Sequence, residues 1–154
     1  MVRKVRPGHA ALRRGRVSIP GQIYCLTTAT AGRRPLFADF TRARIAIGEM
    51  RSLQRRDWLN SLAFVVMPDH VHWLVELGPL PLEKAIQTFK GRSARQLRAS
   101  CAVRGPVWQP GFHDRAVRRD ESISAAARYI VMNPVRAGLV ETPGDYPHWD
   151  CAWL

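Results

Sequence analysis

The stretch Ala63–Leu77, AFVVMPDHVHWLVEL, decides how this chain is read. Two apolar runs, Ala63–Met67 and Val71–Leu77, flank Met67-Pro68-Asp69, and β-branched and aromatic residues around a Pro-Asp break predict a short antiparallel hairpin. The return strand opens with His70-Val71-His72. Side chains on a strand alternate faces, so His70 and His72 project on one side while Val71 points to the other. Two neutral imidazoles placed this way form half of a divalent-ion site, which still needs a third ligand and an open position for substrate. A bare H-x-H is met more often where one His faces solvent and the other caps a turn. The rest of the chain therefore has to supply the weight.

With 154 residues, 46% of them hydrophobic, the chain is long enough to bury one core without disulfides or a structural metal. Against 12 acidic residues stand 24 Lys and Arg, a formal net charge of +12, which points to a polyanionic partner and to nucleic acid first. Cys25, Cys101 and Cys151 are widely spaced with no C-x-x-C, so neither a disulfide framework nor a zinc ribbon follows and a reducing cytoplasm is expected. Apolar stretches are only strand-sized and the N-terminus has no apolar signal core, so no membrane span or secretory signal is expected.

Residues 1–20 carry six Lys or Arg and no acid, and end at Pro20-Gly21; they read as a basic arm suited to a phosphate backbone, ahead of a domain over 21–154. Ile23–Thr30, IYCLTTAT, has strand composition. From Asp39 to about Arg56, Phe40, Ala43, Ile47, Met50 and Leu53 recur at helical spacing, with Asp39 or Thr41 as N-cap. Beyond Gly78-Pro79, Leu82, Ile86, Phe89 and Leu97 mark the buried stripe of a second helix to about Ser100. Its other faces carry Lys84, Lys90, Arg92, Arg95 and Arg98 against a single acid, Glu83, which favours phosphate contact over a balanced salt-bridge lattice. Phe112–Arg118 is a candidate fourth strand, and its Arg115 and Arg118 join Lys90, Arg92 and Arg95 as the expected DNA-binding set. The order strand, helix, strand, strand, helix, strand is the ferredoxin-like α+β topology, an antiparallel sheet with two helices on one face.

An extra helix follows from Asp120 to Met132, Ala-rich with acids in its first turn, and is expected to stop at Asn133-Pro134. Ile123, Ala127 and Ile130 form its inward stripe. Tyr129 lies about 100° around from Ile130 and four residues before Asn133, so a phenol and an amide share a face. The tail from Thr142, with Pro143-Gly144, Pro147, Trp149 and Trp153, is expected to fold back as a short cap.

Three ordered motifs, M-P-D-H-V-H-W-L-V, W-Q-P-G-F-H-D-R and R-Y-I-V-M-N-P-V-R-A-G-L-V, together resemble the REP-associated tyrosine transposases, which belong to the single-tyrosine HUH nucleases. The resemblance spans about Gly21 to Trp149. It implies a ferredoxin-like palm, with His70 and His72 as two ligands of a catalytic Mg²⁺ or Mn²⁺ and Val71 as the hydrophobic residue between them. It implies Tyr129 as the nucleophile, forming a 5′-phosphotyrosine link, and single-stranded DNA with palindromic hairpins as substrate. Related transposases carry Y-x-x-x-Q with the Gln as third metal ligand; here Asn133 replaces it, one methylene shorter, and His113 and Asp114 are alternatives. A monomer and a homodimer are both compatible with the sequence. The competing reading is a basic DNA- or RNA-binding module without chemistry. A zinc-stabilised structural protein using His148 and Cys151 fits poorly on spacing.

Overall fold

The computed structural model describes residues 18–118 and 121–153. The expected basic arm lies outside the described residues except for its last three. Those three are tied to the body: Ser18 Oγ accepts from the Leu82 amide at 3.0 Å and the Ile19 amide donates to Tyr24 Oη at 3.2 Å.

Five strands form one antiparallel sheet: β1 (Ile23–Ala29), β2 (Leu59–Val66), β3 (His70–Leu77), β4 (His113–Ala116) and β5 (Trp149–Cys151), in the order β4-β1-β3-β2-β5. Helix α1 (Phe40–Arg55) connects β1 to β2, and α2 (Leu82–Cys101) connects β3 to β4. The first four strands and these two helices are the expected ferredoxin-like arrangement, with β1 and β3 central. Helix α3 (Ile123–Val131) and the short α4 (Asn133–Arg136) follow.

The alternation of β3 sorts the core into two layers. Val71, Trp73, Val75 and Leu77 pack with Ala43, Ile47, Met50 and Leu53 of α1 and Leu82, Ile86, Phe89 and Leu97 of α2. Leu74 faces the other way and joins Ala63 and Val65 of β2 against Ala127, Ile130 and Val131 of α3. The face that carries His70 and His72 is therefore the one that α3 covers in part, while α1 and α2 lie behind it.

Asp39 caps α1 by accepting from the Arg42 amide at 2.9 Å. Phe40 departs from the expected buried stripe. It is 60% exposed at the first helical position and lies against His148, with ring centroids 5.2 Å apart. Helix α3 begins later than its acids suggested, because Ser122 takes the cap position and accepts from the Ala125 amide at 3.1 Å. Helix α3 ends at Val131, just before Asn133-Pro134 as expected, and a separate turn follows: Pro134 sits in the first turn of α4, where a missing N–H costs nothing. The tail folds back onto the body as expected, and within it β5 adds to the sheet edge, pairing Trp149 with Val65 and Cys151 with Ala63. The 101–111 segment is anchored through Trp108, which bridges to Thr30 and donates from Nε1 to Ser93 Oγ at 3.0 Å.

Candidate active site

Register builds the site. Thr27 of β1 stands opposite His72 of β3, so both side chains emerge on the same face of adjacent strands. His72 Nδ1 is hydrogen-bonded to Thr27 Oγ1 at 2.9 Å, and His70 Nδ1 to Asp69 Oδ1 at 2.7 Å. With the Nδ1 atoms so engaged, the two Nε2 atoms point at each other, 3.1 Å apart. Asp69 is held in turn by Arg33 Nε at 3.2 Å from its other oxygen. Arg33 adopts a left-handed backbone, φ 54°, just after β1.

Burial, the neighbouring His70 and the charges of Arg136 and Arg33 lower the His72 pKa to about 4. The imidazole is thus neutral at physiological pH, the state in which it can donate a lone pair to a cation.

Beside His72, a cleft of about 530 Å³ opens between β1, β4 and α3, lined by Thr27, His72, Arg115, Ala125, Ala126, Tyr129 and Asn133 among others. The small side chains at 125 and 126 leave the room. Tyr129 is 66% exposed, and the Arg136 guanidinium lies 3.7 Å from its ring centroid. Asn133 Nδ2 donates to the Ile130 carbonyl at 3.1 Å, which leaves its side-chain oxygen as the group it can offer to a ligand. Cys25 also lines the cleft, and burial raises its thiol pKa.

The other two tyrosines are committed elsewhere. Tyr24 is a buried residue of β1, its oxygen accepting from the Ile19 amide. Tyr146 donates its hydroxyl to the Val66 carbonyl at 2.5 Å, and burial pushes its pKa up to about 12.

The residue set fits a divalent cation in one respect and is open in another. Two adjacent nitrogen ligands at about 2.1 Å from one ion stand about 3 Å apart, the spacing of the two Nε2 atoms, and each histidine has an outer partner that fixes its ring. Among the described residues, however, no cluster of three His, Cys, Asp or Glu side chains is placed to hold a metal ion. Of other residue types among the described residues, Asn133 lines the cleft with a side-chain oxygen to offer. Asp114 is not suited to that role. It pairs with Leu26, whose side chain is in the α1/α2 layer, so it faces away from the histidines. His113 pairs with Thr27 on the correct face but is two strands from His72, roughly 10 Å. His148 and Cys151 gather no third ligand either: His148 is buried between the rings of Phe40 and Tyr146.

The expected DNA-binding residues separate into two groups. Arg115 lines the cleft and pairs with Glu121 at 2.6 Å; Arg118 is exposed beside it, its backbone amide donating to Glu121 at 3.2 Å. Arg92 and Arg95 lie on the outer side of α2 with Arg98, along a shallow groove of about 750 Å³, behind the sheet from the histidines. Arg92 also pairs with the buried carboxylate of Glu49 at 2.8 Å. Lys90 does not present its charge outward as the others do. Its ammonium donates to the carbonyls of Gln109, at 2.8 Å, and Gly111, and burial lowers its pKa to about 8. Thr27, Arg33, Asp69 and Arg136 were not singled out from the sequence. Asp69 adjoins His70 in the chain and was open to that inference, whereas the others depend on strand register and on the turn after α3.

A sheet-borne histidine pair thus stands beside a helix-borne tyrosine on an antiparallel sheet. Residues 20–133 match the model of the family described as transposase IS200 like, and the chain belongs to that family. It is 28% identical over 117 residues to a candidate REP-associated tyrosine transposase of Haemophilus influenzae, a stretch covering 66% of each protein. It is 30% identical over 87 residues to the REP-associated tyrosine transposase of Escherichia coli K12, covering 55% of this chain and 50% of that one. The matched stretches thus span about two thirds and half of these relatives' lengths. Among solved structures, a REP-associated tyrosine transposase bound to a REP hairpin superposes with a TM-score of 0.72 at 24% identity, over 87% of this chain and 79% of the other. A candidate transposase from Deinococcus radiodurans superposes with a TM-score of 0.55 at 25% identity, over 75% and 93%. Among the described residues no helix is long and apolar enough to cross a membrane.

Proposed function

We propose that this protein cleaves and rejoins single-stranded DNA at hairpin-bearing sites through a covalent bond to Tyr129, with a divalent cation, Mg²⁺ or Mn²⁺, held by His70, His72 and the Asn133 oxygen. The observation that carries the reading is that His72, Tyr129 and Asn133 line one cleft, while both other tyrosines are engaged.

A phosphodiester repels nucleophiles because its oxygens are anionic, and a free phenol with a pKa near 10 is only about 0.1% ionised at pH 7. When bound, the cation supplies positive charge against the scissile phosphate and its developing transition state. Asp69 and Thr27 each hold one imidazole by its Nδ1, which leaves the two Nε2 atoms 3.1 Å apart. Tyr129 Oη forms a bond to phosphorus as the bond from phosphorus to the 3′-oxygen breaks; the phenol proton is lost to solvent, and the leaving 3′-oxygen takes one up. The product is a 5′-phosphotyrosine and a free 3′-hydroxyl. Because the new ester keeps the phosphodiester bond energy, attack by another 3′-hydroxyl reseals the strand with no nucleotide cofactor and restores Tyr129. Arg115, which lines the cleft, and Arg118, which shares Glu121 with it, would donate to the flanking phosphates. The similar REP-associated tyrosine transposase bound to a REP hairpin supports a hairpin as the DNA element.

The test is incubation of the protein with a single-stranded hairpin oligonucleotide and Mg²⁺ or Mn²⁺, followed by denaturation and mass analysis. The reading expects an adduct on the peptide containing Tyr129 that disappears with a chelator. Binding of the hairpin with no adduct in any divalent ion would favour a module that binds without chemistry.

A further inference from the structure

Tyr129, Asn133 and Arg136 stand at i, i+4 and i+7, and the helical turn after Met132 keeps the chain winding so that the third residue returns to the first. A histidine pair and a tyrosine with an amide four residues on do not require an arginine there. Yet Arg136 makes two contacts to the same residue. Its Cζ lies 3.7 Å from the Tyr129 ring centroid, and its Nη2 donates to the Tyr129 carbonyl at 2.6 Å.

The two contacts do different things. The bond to the carbonyl fixes where the guanidinium sits relative to the end of α3, and the stacked plane fixes the ring. Tyr129 is 66% exposed and its neighbours Ala125 and Ala126 are small, so packing alone constrains the ring little. An in-line displacement requires the attacking oxygen to be within about 3–3.5 Å of phosphorus and aligned with the leaving group, and a misplacement of about 1 Å can cost about 100-fold in rate. A planar guanidinium can both stack on an aromatic face and hydrogen-bond along its edge; an ammonium cannot.

We propose that Arg136 is a positioning residue for strand cleavage: stacked on the Tyr129 ring and bonded to the Tyr129 carbonyl, it holds the phenol in its attacking orientation beside His72. The inference rests on the strand-cleaving reading above and adds to it a residue on α4. It predicts a loss in the rate of the covalent step rather than in DNA affinity.

The experiment measures single-turnover adduct formation at saturating hairpin DNA for the wild type, Arg136→Ala and Arg136→Lys. Hairpin affinity and thermal melting are measured in parallel. Arg136→Ala should slow the covalent step about 30-fold, with affinity changed less than about threefold. Arg136→Lys should recover only a minor part, because it restores charge without the planar face. Guanidinium ion added to Arg136→Ala should restore rate by filling the vacated stack, which it would not do for a residue that merely stabilises the fold. Where Arg136→Ala fails to fold, Arg136→Lys carries the comparison. Wild-type rates in both variants, or a loss that follows melting and resists guanidinium, would overturn the inference while leaving the nuclease reading standing. A wild-type protein that forms no adduct would overturn both.

Discussion

His70 Nε2 and His72 Nε2 stand 3.1 Å apart because each ring is turned by a partner on its other nitrogen, Asp69 for the first and Thr27 for the second. The pair is thus arranged by neighbours as much as by its own spacing. His70→Ala and His72→Ala should each abolish the covalent step while leaving hairpin affinity within a few fold, since affinity is expected from the arginine surfaces. Asp69→Asn and Thr27→Val should fold normally and weaken divalent-ion binding about 10- to 100-fold, as outer partners of ligating histidines do. Calorimetric titration with Mn²⁺ measures this without reference to DNA. Unchanged Mn²⁺ affinity in both variants would count against the histidine pair as a metal site.

The depressed pKa of His72 carries a stability prediction for the metal-free protein. Its folded value is about 4 against 6.5 in the unfolded chain, so between those values the unfolded state binds the extra proton. The contribution is complete above about pH 6.5, is lost as pH falls through that window, and levels off below about 4. Its size is at most on the order of 3 kcal/mol. His148, also lowered by burial and by Arg44, acts in the same direction. Urea midpoints taken in chelator from pH 7 to pH 4 should fall for the wild type, and less for His72→Gln. Equal slopes in the two proteins would contradict the assignment.

Lys90 and Arg95 are predicted to respond oppositely to substitution although they lie on one helix. Lys90 donates to two carbonyls of the 109–111 loop, so Lys90→Met should cost about 1–3 kcal/mol of stability and leave the salt dependence of DNA binding unchanged. Arg95 lies in the outer groove of α2, and Arg95→Ala should leave stability nearly unchanged and reduce the slope of log K against log[salt] by about one unit. Arg92→Ala is a poorer probe because it strips the buried Glu49 carboxylate of its ion pair. The measurement is hairpin binding across a salt series, together with melting. An unchanged slope for Arg95→Ala would place the DNA away from this face.

The parts of the site that were legible in the sequence are those set by local period. H-x-H fixes a shared strand face whatever the partner strands do, and Tyr129 with Asn133 fixes a shared helix face. The order of elements likewise sufficed for the palm, because the two helices carry clear apolar stripes and the hairpin at Met67-Pro68-Asp69 leaves β2 and β3 little choice of partner. What was not legible depends on distance in the chain. The engagement of Thr27 with His72 requires the β1–β3 register, and the inward turn of Lys90 requires carbonyls about twenty residues away. Strand β5 was missed because three residues are too few to show alternation, and it forms where β2 offers an edge. The helical turn at Asn133–Arg136 was missed because X-Pro usually ends a helix, whereas here Pro134 begins a new one. Arg136 was lost with that turn.

In the proposed reaction the Tyr129 hydroxyl oxygen is the atom that bonds to DNA. Tyr129→Phe removes that oxygen and keeps the ring on which Arg136 stacks, so melting temperature and hairpin affinity should stay close to wild type. The direct measurement is denaturing electrophoresis of wild type and Tyr129→Phe after incubation with labelled single-stranded hairpin DNA and Mn²⁺. A covalent band is expected for the wild type and none for the variant. A denaturation-resistant adduct with cleaved DNA in Tyr129→Phe would contradict it and transfer the role to another residue.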